Sequence, residues 1–221
     1  MNTHGFLDQL LKTAQQSVGD LTGGKGIGGD FGKGALAGGA LGLLLGNRRV
    51  RKMGGKVAIY GGLAAVGALA YKAYGDWKQQ QGGAGAASAA PQTFDALPPA
   101  EIESHSQAIL KALIAAAKAD GHVDDRERQV IEGEFSRLDA APEVRQWLQA
   151  ELQKPLDPAE VARAASSPEM ASEMYLASLL AVDEQNFMER AYLDELARQL
   201  KLDDGLKARL EQQMKEAGDA V

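Results

Sequence analysis

The chain of 221 residues contains no cysteine. This absence excludes a disulfide framework, a thiolate nucleophile, and any zinc or iron–sulfur site held by cysteine ligands. Aromatic residues are also scarce, at 5% of the chain. Any binding or catalysis must therefore use other side chains.

Glycine and charge are distributed unevenly along the chain. Of the 26 glycines, 22 lie in residues 1–90. Residues 1–100 carry a net charge of +5 and residues 101–221 a net charge of −11, in agreement with −6 for the whole chain. A nucleic-acid-binding protein needs a basic patch on a folded domain, whereas the part of this chain with folding patterns is acidic. We therefore expect two physically different regions and no nucleic-acid partner.

Two apolar runs lie in the basic half of the chain. The first covers residues 34–46, and the second covers residues 57–74 with Lys72 as its one charged residue. As a helix, the second run would be about 27 Å long, close to the ~30 Å hydrocarbon core of a bilayer. The pattern predicts a membrane region over residues 34–75, with membrane lipid as a partner. A buried helix of a soluble domain is the alternative for the second run.

The charges that flank the second run predict its orientation. Lys56 and Lys72 would reach opposite interfaces, and an aromatic belt would form from Tyr71, Tyr74 and Trp77. Five basic residues precede the run and are here called the basic stretch: Arg48, Arg49, Arg51, Lys52 and Lys56. The positive-inside rule keeps this stretch in the cytoplasm and therefore favours a periplasmic location for residues 98–221.

Small residues recur at every fourth position of both apolar runs. The two sets are Gly34, Gly38, Gly42 and Gly46 in the first run, and Ala58, Gly62, Val66 and Ala70 in the second. On a helix, such a stripe lets another backbone approach closely. The runs would pack as a hairpin, or each would pair with a copy of itself in a homo-oligomer. Glycine-rich sequence also produces this spacing by chance.

The segments beside the membrane region have their own patterns. Residues 1–33 begin with an amphipathic helix, capped by Thr3, and continue as a flexible Gly-rich stretch. The apolar face of this helix predicts either a small surface helix or a segment lying on a membrane, and it consists of Phe6, Leu7, Leu10, Leu11, Ala14 and Val18. Residues 76–100 contain three prolines and few bulky apolar residues, which predicts a linker.

Residues 101–221 have the apolar rhythm of helices throughout, without the period-two alternation of strands. We predict seven short helices in a compact all-α domain. The second starts near Asp125, and Pro142, Pro158 and Pro168 open the next three. The last two carry two apolar sets, Phe187, Tyr192, Leu193, Leu196 and Leu200 in the sixth helix and Leu206, Leu210 and Met214 in the seventh.

Two acid-rich turns are the candidate binding sites of this domain. The first acidic turn contains Asp120, Asp124 and Glu127, and the second contains Asp183 and Glu189. Asp124 and Glu127 fit a capping box, which is a structural role. The same carboxylates also suit a hard cation, although an EF-hand is excluded because its alternating acids and final glutamate are missing. Two helix pairs related by pseudo-symmetry would let the turns face each other.

No arrangement in the sequence predicts catalysis. Residues 24–29 match G-x-G-x-x-G, but no strand precedes them. The three histidines, His4, His105 and His122, are too scattered for a metal triad or a catalytic dyad. Because the acidic turns have no nucleophile or base beside them, we predict no enzyme, and a divalent metal ion as the one candidate cofactor.

Three motifs resemble the YebE family of bacterial inner-membrane proteins: AKADGHVDDRER, KPLDP and NFMERAYLDELA. A glycine-rich apolar N-terminal part and the basic break NRRVRK extend the resemblance to about residues 30–205. It implies an inner-membrane location and a domain with the TerB-like helical fold of tellurite-resistance proteins. It also implies a metal-binding role, by position, for Asp120, Asp124, Glu127, Asp183 and Glu189. This chain departs from its relatives at Gln185 and Asn186, where they tend to carry an acid and a histidine.

These features together predict a membrane-anchored, non-enzymatic TerB-like module over residues 101–221. It would bind a partner protein or a divalent metal ion, in an envelope stress response. The alternative is a structural or assembly protein of the membrane, held together by a glycine zipper whose members are Gly34, Gly38, Gly42, Gly46 and Gly62.

Overall fold

The computed structural model describes residues 2–9, 63–80, 98–119, 140–182 and 187–219. These residues form eight helices and no strand. The helices are α1 (residues 3–9), α2 (Leu63–Gln80), α3 (Pro99–Ala117), α4 (Pro142–Gln153), α5 (Pro158–Ala162), α6 (Pro168–Ala181), α7 (Phe187–Gln199) and α8 (Asp204–Asp219). The predicted all-α class is confirmed for this part of the chain. The second predicted helix of the domain, near Asp125, lies outside the described residues.

Helix α6 is the centre of the fold. It contacts α2, α3, α7 and α8, and ten of its 14 residues are buried. Apolar residues lie all around it rather than on one stripe, which is typical of a helix enclosed by others. Met174, Tyr175 and Leu176 are fully buried at its middle and form the core with residues from the surrounding helices.

Prolines and side-chain caps start several helices, as the sequence predicts. Pro142, Pro158 and Pro168 each lie in the first turn of a helix, where a missing backbone N–H costs nothing. The Asp157 carboxylate accepts the Ala159 N–H at 2.9 Å and caps α5. The Ser167 hydroxyl similarly accepts the Met170 N–H of α6 at 3.1 Å.

Helix α2 contains residues 63–74, the last two thirds of the apolar run 57–74, and packs inside the helical domain. Val66, Ala70 and Ala73 are buried in the core, and α2 contacts α6 and α8. Val66 and Ala70, the described members of the second small-residue stripe, contact helices of the same domain. Small side chains at such positions let helix axes approach closely. Ala58 and Gly62 of this stripe and the whole first stripe, Gly34, Gly38, Gly42 and Gly46, lie outside the described residues, so the hairpin and the homo-oligomer stay predictions.

The C-terminal end of α2 is fixed to the start of α8 by polar contacts. Trp77 Nε1 donates to Asp203 Oδ1 at 3.2 Å, and Arg209 forms an ion pair with Asp76 at 3.3 Å. A β-carbon on Gly205 would lie 3.0 Å from Asp203 Oδ1, the acceptor of the bond from Trp77, so glycine at this position keeps the acceptor uncrowded. Trp77 thus links α2 to the start of α8 in this structure. The sequence had predicted that this side chain lies at a membrane interface.

The boundary of the predicted linker needs a correction. Residues 76–80 continue α2 to Gln80, because the contacts of its last turn with α8 stabilise the helical conformation. Among the described helices, none combines the length and the apolar character needed to cross a bilayer.

Helix α1 docks on the start of α3. The Glu103 carboxylate accepts the Thr3 N–H at 2.9 and 3.1 Å and the Thr3 hydroxyl at 2.7 Å. Phe6 and Leu7 are buried. The predicted cap is wrong, because Asn2 accepts the Gly5 N–H at 2.9 Å and so caps α1, while Thr3 is committed to Glu103.

Candidate functional site

Helices α3 and α6 lie side by side and run in the same direction. Near their beginnings, His105 Nε2 pairs with Glu173 Oε2. Farther along, the Ser178 hydroxyl donates to the carbonyl oxygen of Ala112 at 3.5 Å. Residue numbers therefore increase together along the two helices, which makes them parallel. Both helices end at the same end of the bundle, which we call the acidic end.

Each acidic turn of the sequence follows one of these two helices. The described chain stops at Ala119 after α3 and at Val182 after α6, just before the two turns. Packed helices have axes about 8–10 Å apart, so the chain enters both turns from neighbouring points. Four of the five predicted site residues lie outside the described residues, namely Asp120, Asp124, Glu127 and Asp183.

Glu189 is the predicted site residue that the structure describes. It lies in the first turn of α7 and is half-buried. Its position at a helix start suits a carboxylate, because the helix dipole is positive there. Over the described ranges, no three Asp, Glu, His or Cys residues are grouped so that they would hold a metal ion.

Two large apolar side chains are exposed at the start of α7, between the two acidic residues of the second turn. Phe187 is 80% exposed and Met188 is 54% exposed. Phe187 belongs to the apolar set that the sequence places in this helix, but it does not share the buried face of Tyr192, Leu193 and Leu196. Phe187 and the buried Leu196 are nine positions apart, which places them about 180° apart at 100° per residue. The helical period alone would have found this.

Lys118 lies at the end of α3, two residues before Asp120. Its ammonium group donates to the carbonyl oxygen of Lys154 and to that of Glu151, the latter at 3.3 Å. Lys118 therefore caps the C-terminal end of α4. Burial lowers the pKa of Lys118 below its ordinary value, and the opposing effect of Glu151 and Glu160 is smaller. No pattern in the sequence predicts that this cation is directed towards α4.

The KPLDP motif is held by a compact set of ion pairs. Glu160 accepts from Lys111 at 2.6 Å and from Lys154 at 3.2 Å, while Lys154 also pairs with the buried Glu151 at 2.5 Å. The hydrogen bond that Lys111 donates lowers the pKa of Glu160, and the hydrogen bond that Lys154 donates to Glu151 raises the pKa of Lys154. Because the charges compensate one another, we interpret this cluster as a structural link between α3, α4 and α5.

Comparisons with known proteins agree with the resemblance to the YebE family. A family described as "Protein of unknown function (DUF533)" matches residues 30–214. The chain is similar to an "Uncharacterized protein in ampR 5'region" of Yersinia enterocolitica, with 32% identity over 122 residues. That match covers 55% of this chain and 88% of the relative. No solved structure matches the chain. Since the family match extends over most of the sequence, the chain belongs to the DUF533 family.

Proposed function

We propose that the protein is a membrane-associated, non-enzymatic module with a TerB-like helical domain that binds a divalent cation at its acidic end. The parallel packing of α3 and α6 is the observation that supports this proposal most. Because the two helices are parallel, both acidic turns begin at the same end of the bundle. Carboxylates that are distant in sequence would then follow neighbouring helix ends. The glycine-rich apolar part of the chain would supply the contact with the membrane.

The chemistry of the proposed site is that of oxygen ligands. The first turn would contribute Asp120, Asp124 and Glu127, and the second would contribute Asp183 and Glu189. Hard divalent cations such as Ca²⁺ and Mg²⁺ prefer carboxylate oxygens, and neither needs the cysteine that this chain lacks. We expect weak binding, because Gln185 removes one charge that relatives of the resembled family tend to carry.

Thermal unfolding of the full-length chain in detergent tests the cation site. With millimolar Ca²⁺, Mg²⁺, Mn²⁺ or Zn²⁺, the melting temperature should rise, because an ion that binds the folded state stabilises it by RT ln(1 + [L]/Kd). Asp120→Asn should abolish this rise with little effect in the absence of metal. The matched control is Asp204→Asn in the first turn of α8, which should keep the full rise. No rise with any of the four ions would show that the cation site is wrong.

A protein partner at the acidic end is the second candidate, favoured by the exposure of Phe187 and Met188. Large exposed apolar side chains beside charged residues are common in binding surfaces. Phe187→Ser should leave the melting temperature unchanged, because the side chain is in solvent. It should reduce in-cell cross-linking to any partner that the wild-type chain captures through this end. A partner captured equally well by Phe187→Ser would place the binding surface elsewhere.

A further inference from the structure

We infer that the membrane-associated segment leaves and re-enters the helical domain on one face of the bilayer, and that the domain lies on the same face as the basic stretch. The chain between α1 and α2 would then make no net crossing of the membrane. This inference rests on the membrane association proposed above. It is carried by the docking of both α1 and α2 on a single domain.

The first point of attachment is α1. Its N-terminal residue Thr3 is fully buried and makes three hydrogen-bond contacts of 2.7–3.1 Å with the Glu103 carboxylate of α3. Ser106 of α3 and His4 of α1 also contact each other, with 3.4 Å between Oγ and Nδ1. Residues 3–9 therefore lie on the same side of any membrane as α3.

The second point of attachment is α2, which contacts the domain at both of its ends. Near its beginning, a β-carbon on Gly67 would lie 3.5 Å from Glu173 Oε1 of α6. Near its end, Trp77 donates to Asp203, just before α8. Between these two points Val66, Ala70 and Ala73 are buried in the core, so α2 packs on the domain along most of its length. Residues 63–80 therefore also lie on the side of the domain.

The distance from α2 to the basic stretch is short. Only residues 57–62 separate Lys56 from Leu63, the first residue of α2. The seven Cα steps from Lys56 to Leu63 extend to about 25 Å at most, which is less than the ~30 Å hydrocarbon core. Lys56 and the domain must then lie on the same side. The other members of the basic stretch are placed there with Lys56, because charged residues are costly inside a bilayer. The first apolar run has 13 residues, a length more typical of an interfacial or re-entrant segment than of a span.

The charge pattern of the sequence indicates on which side of the bilayer the domain lies. Basic residues next to apolar segments stay in the cytoplasm, where they face the anionic headgroups of the inner leaflet. With the basic stretch and the domain on one side, the domain is cytoplasmic. The periplasmic location that the charge pattern favours depends on a span at residues 57–74, whereas residues 63–74 belong to α2.

Single cysteines provide the test, since the natural chain has none that would react. Gln9→Cys, Gln79→Cys and Gln146→Cys place one thiol at an exposed position on α1, α2 and α4. Each full-length variant is treated with a membrane-impermeant maleimide in intact spheroplasts and again after permeabilisation. We expect all three to react only after permeabilisation, to the same extent.

Two labelling results would overturn the inference. Reaction of Gln9→Cys and Gln146→Cys from opposite sides would show a single span between α1 and the domain. Reaction of all three in intact spheroplasts would place the domain in the periplasm. Fractionation of the same cells tests the proposed membrane association separately from the labelling. Recovery of the chain in the soluble fraction would overturn the membrane association and, with it, this inference.

Discussion

At the residue scale, Glu103 is a carboxylate that stabilises a helix from another part of the chain. It accepts hydrogen bonds from the first backbone N–H groups of α1, where the helix dipole favours a negative charge. Burial acts to raise the pKa of Glu103, but the hydrogen bonds from Thr3, Gln107 and His4 together hold the pKa below its ordinary value. One side chain thus determines how firmly α1 is attached.

The Glu103→Gln substitution should loosen α1. We expect a loss of about 1 kcal/mol in the free energy of local opening, typical of one hydrogen bond to a charged group at a partly exposed position. Amide hydrogen exchange of residues 3–9 should then become roughly fivefold faster, while the exchange of α6 stays unchanged. Glu101→Gln, in the exposed first turn of α3, is the matched control. Equal exchange in the two variants would contradict this role.

The same contact should depend on pH. Because the pKa of Glu103 is lowered in the folded protein, its stabilising contribution is complete above the pKa of this group in the unfolded chain. The contribution is lost as the pH falls through the lower pKa of the folded state. Protection of residues 3–9, corrected for the intrinsic exchange rate, should therefore decrease in acid for the wild type. In Glu103→Gln, this component of the decrease should be absent.

At the element scale, the proposed function depends most on whether α2 is surrounded by lipid or by protein. The apolar residues of the run 57–74 would suit a bilayer or a protein core equally well, because both are apolar environments. In the structure, Val66 and Ala70 contact the core formed by α6 and α8, and Ala68 faces solvent. The difference between these two faces gives a direct test.

The Ala70→Leu substitution should destabilise the full-length protein. The added side chain has no space between α2 and its neighbours, and overpacking of this kind costs about 1–3 kcal/mol. Ala68→Leu adds the same atoms on the exposed face and should change the free energy of unfolding by less than about 0.5 kcal/mol. Urea unfolding, followed by circular dichroism, measures both. If α2 were instead surrounded by lipid, the two variants would behave alike.

At the scale of the whole molecule, the folded domain is larger than the sequence boundary at residue 101 suggests. Val66, Ala70 and Ala73 belong to the same hydrophobic core as Met174 and Leu210. Leu69, Tyr74 and Trp77 pack against this core as partly buried residues. Residues 98–221 alone would therefore expose the surface of α6 and α8 that α2 covers.

Two truncated chains should show this difference. A chain that starts at residue 60 should unfold in a single cooperative transition, because its core includes α2. In a chain that starts at residue 98, the free energy of unfolding should be lower by about 5 kcal/mol, at roughly 1–3 kcal/mol for each larger apolar side chain that α2 buries. This loss is comparable to the total stability of many domains. Circular dichroism melts and denaturant titrations compare the two. Equal stability would contradict the assignment of α2 to the domain.

The acidic end is also a property of the whole molecule. The sequence identifies Asp120, Asp124, Glu127, Asp183 and Glu189 as candidates, but sequence spacing says nothing about the distance between the two turns. The direction of α6 relative to α3 places the described ends of these two helices at one end of the bundle, and this direction follows from contacts such as that of Ser178 with Ala112. The exposure of Phe187 likewise depends on which face of α7 meets the core.

The sequence by itself determined the helices that the structure describes after residue 98. Their signals are local: Pro142, Pro158 and Pro168 fix helix starts, and apolar residues repeat at the period of the helix. The tertiary structure alone decided that α2 packs in the domain, that Thr3 contacts Glu103, and that α3 and α6 are parallel. Each of these depends on which surfaces meet among residues far apart in the chain. A pattern along the chain records that a face is apolar, whereas packing determines what covers it.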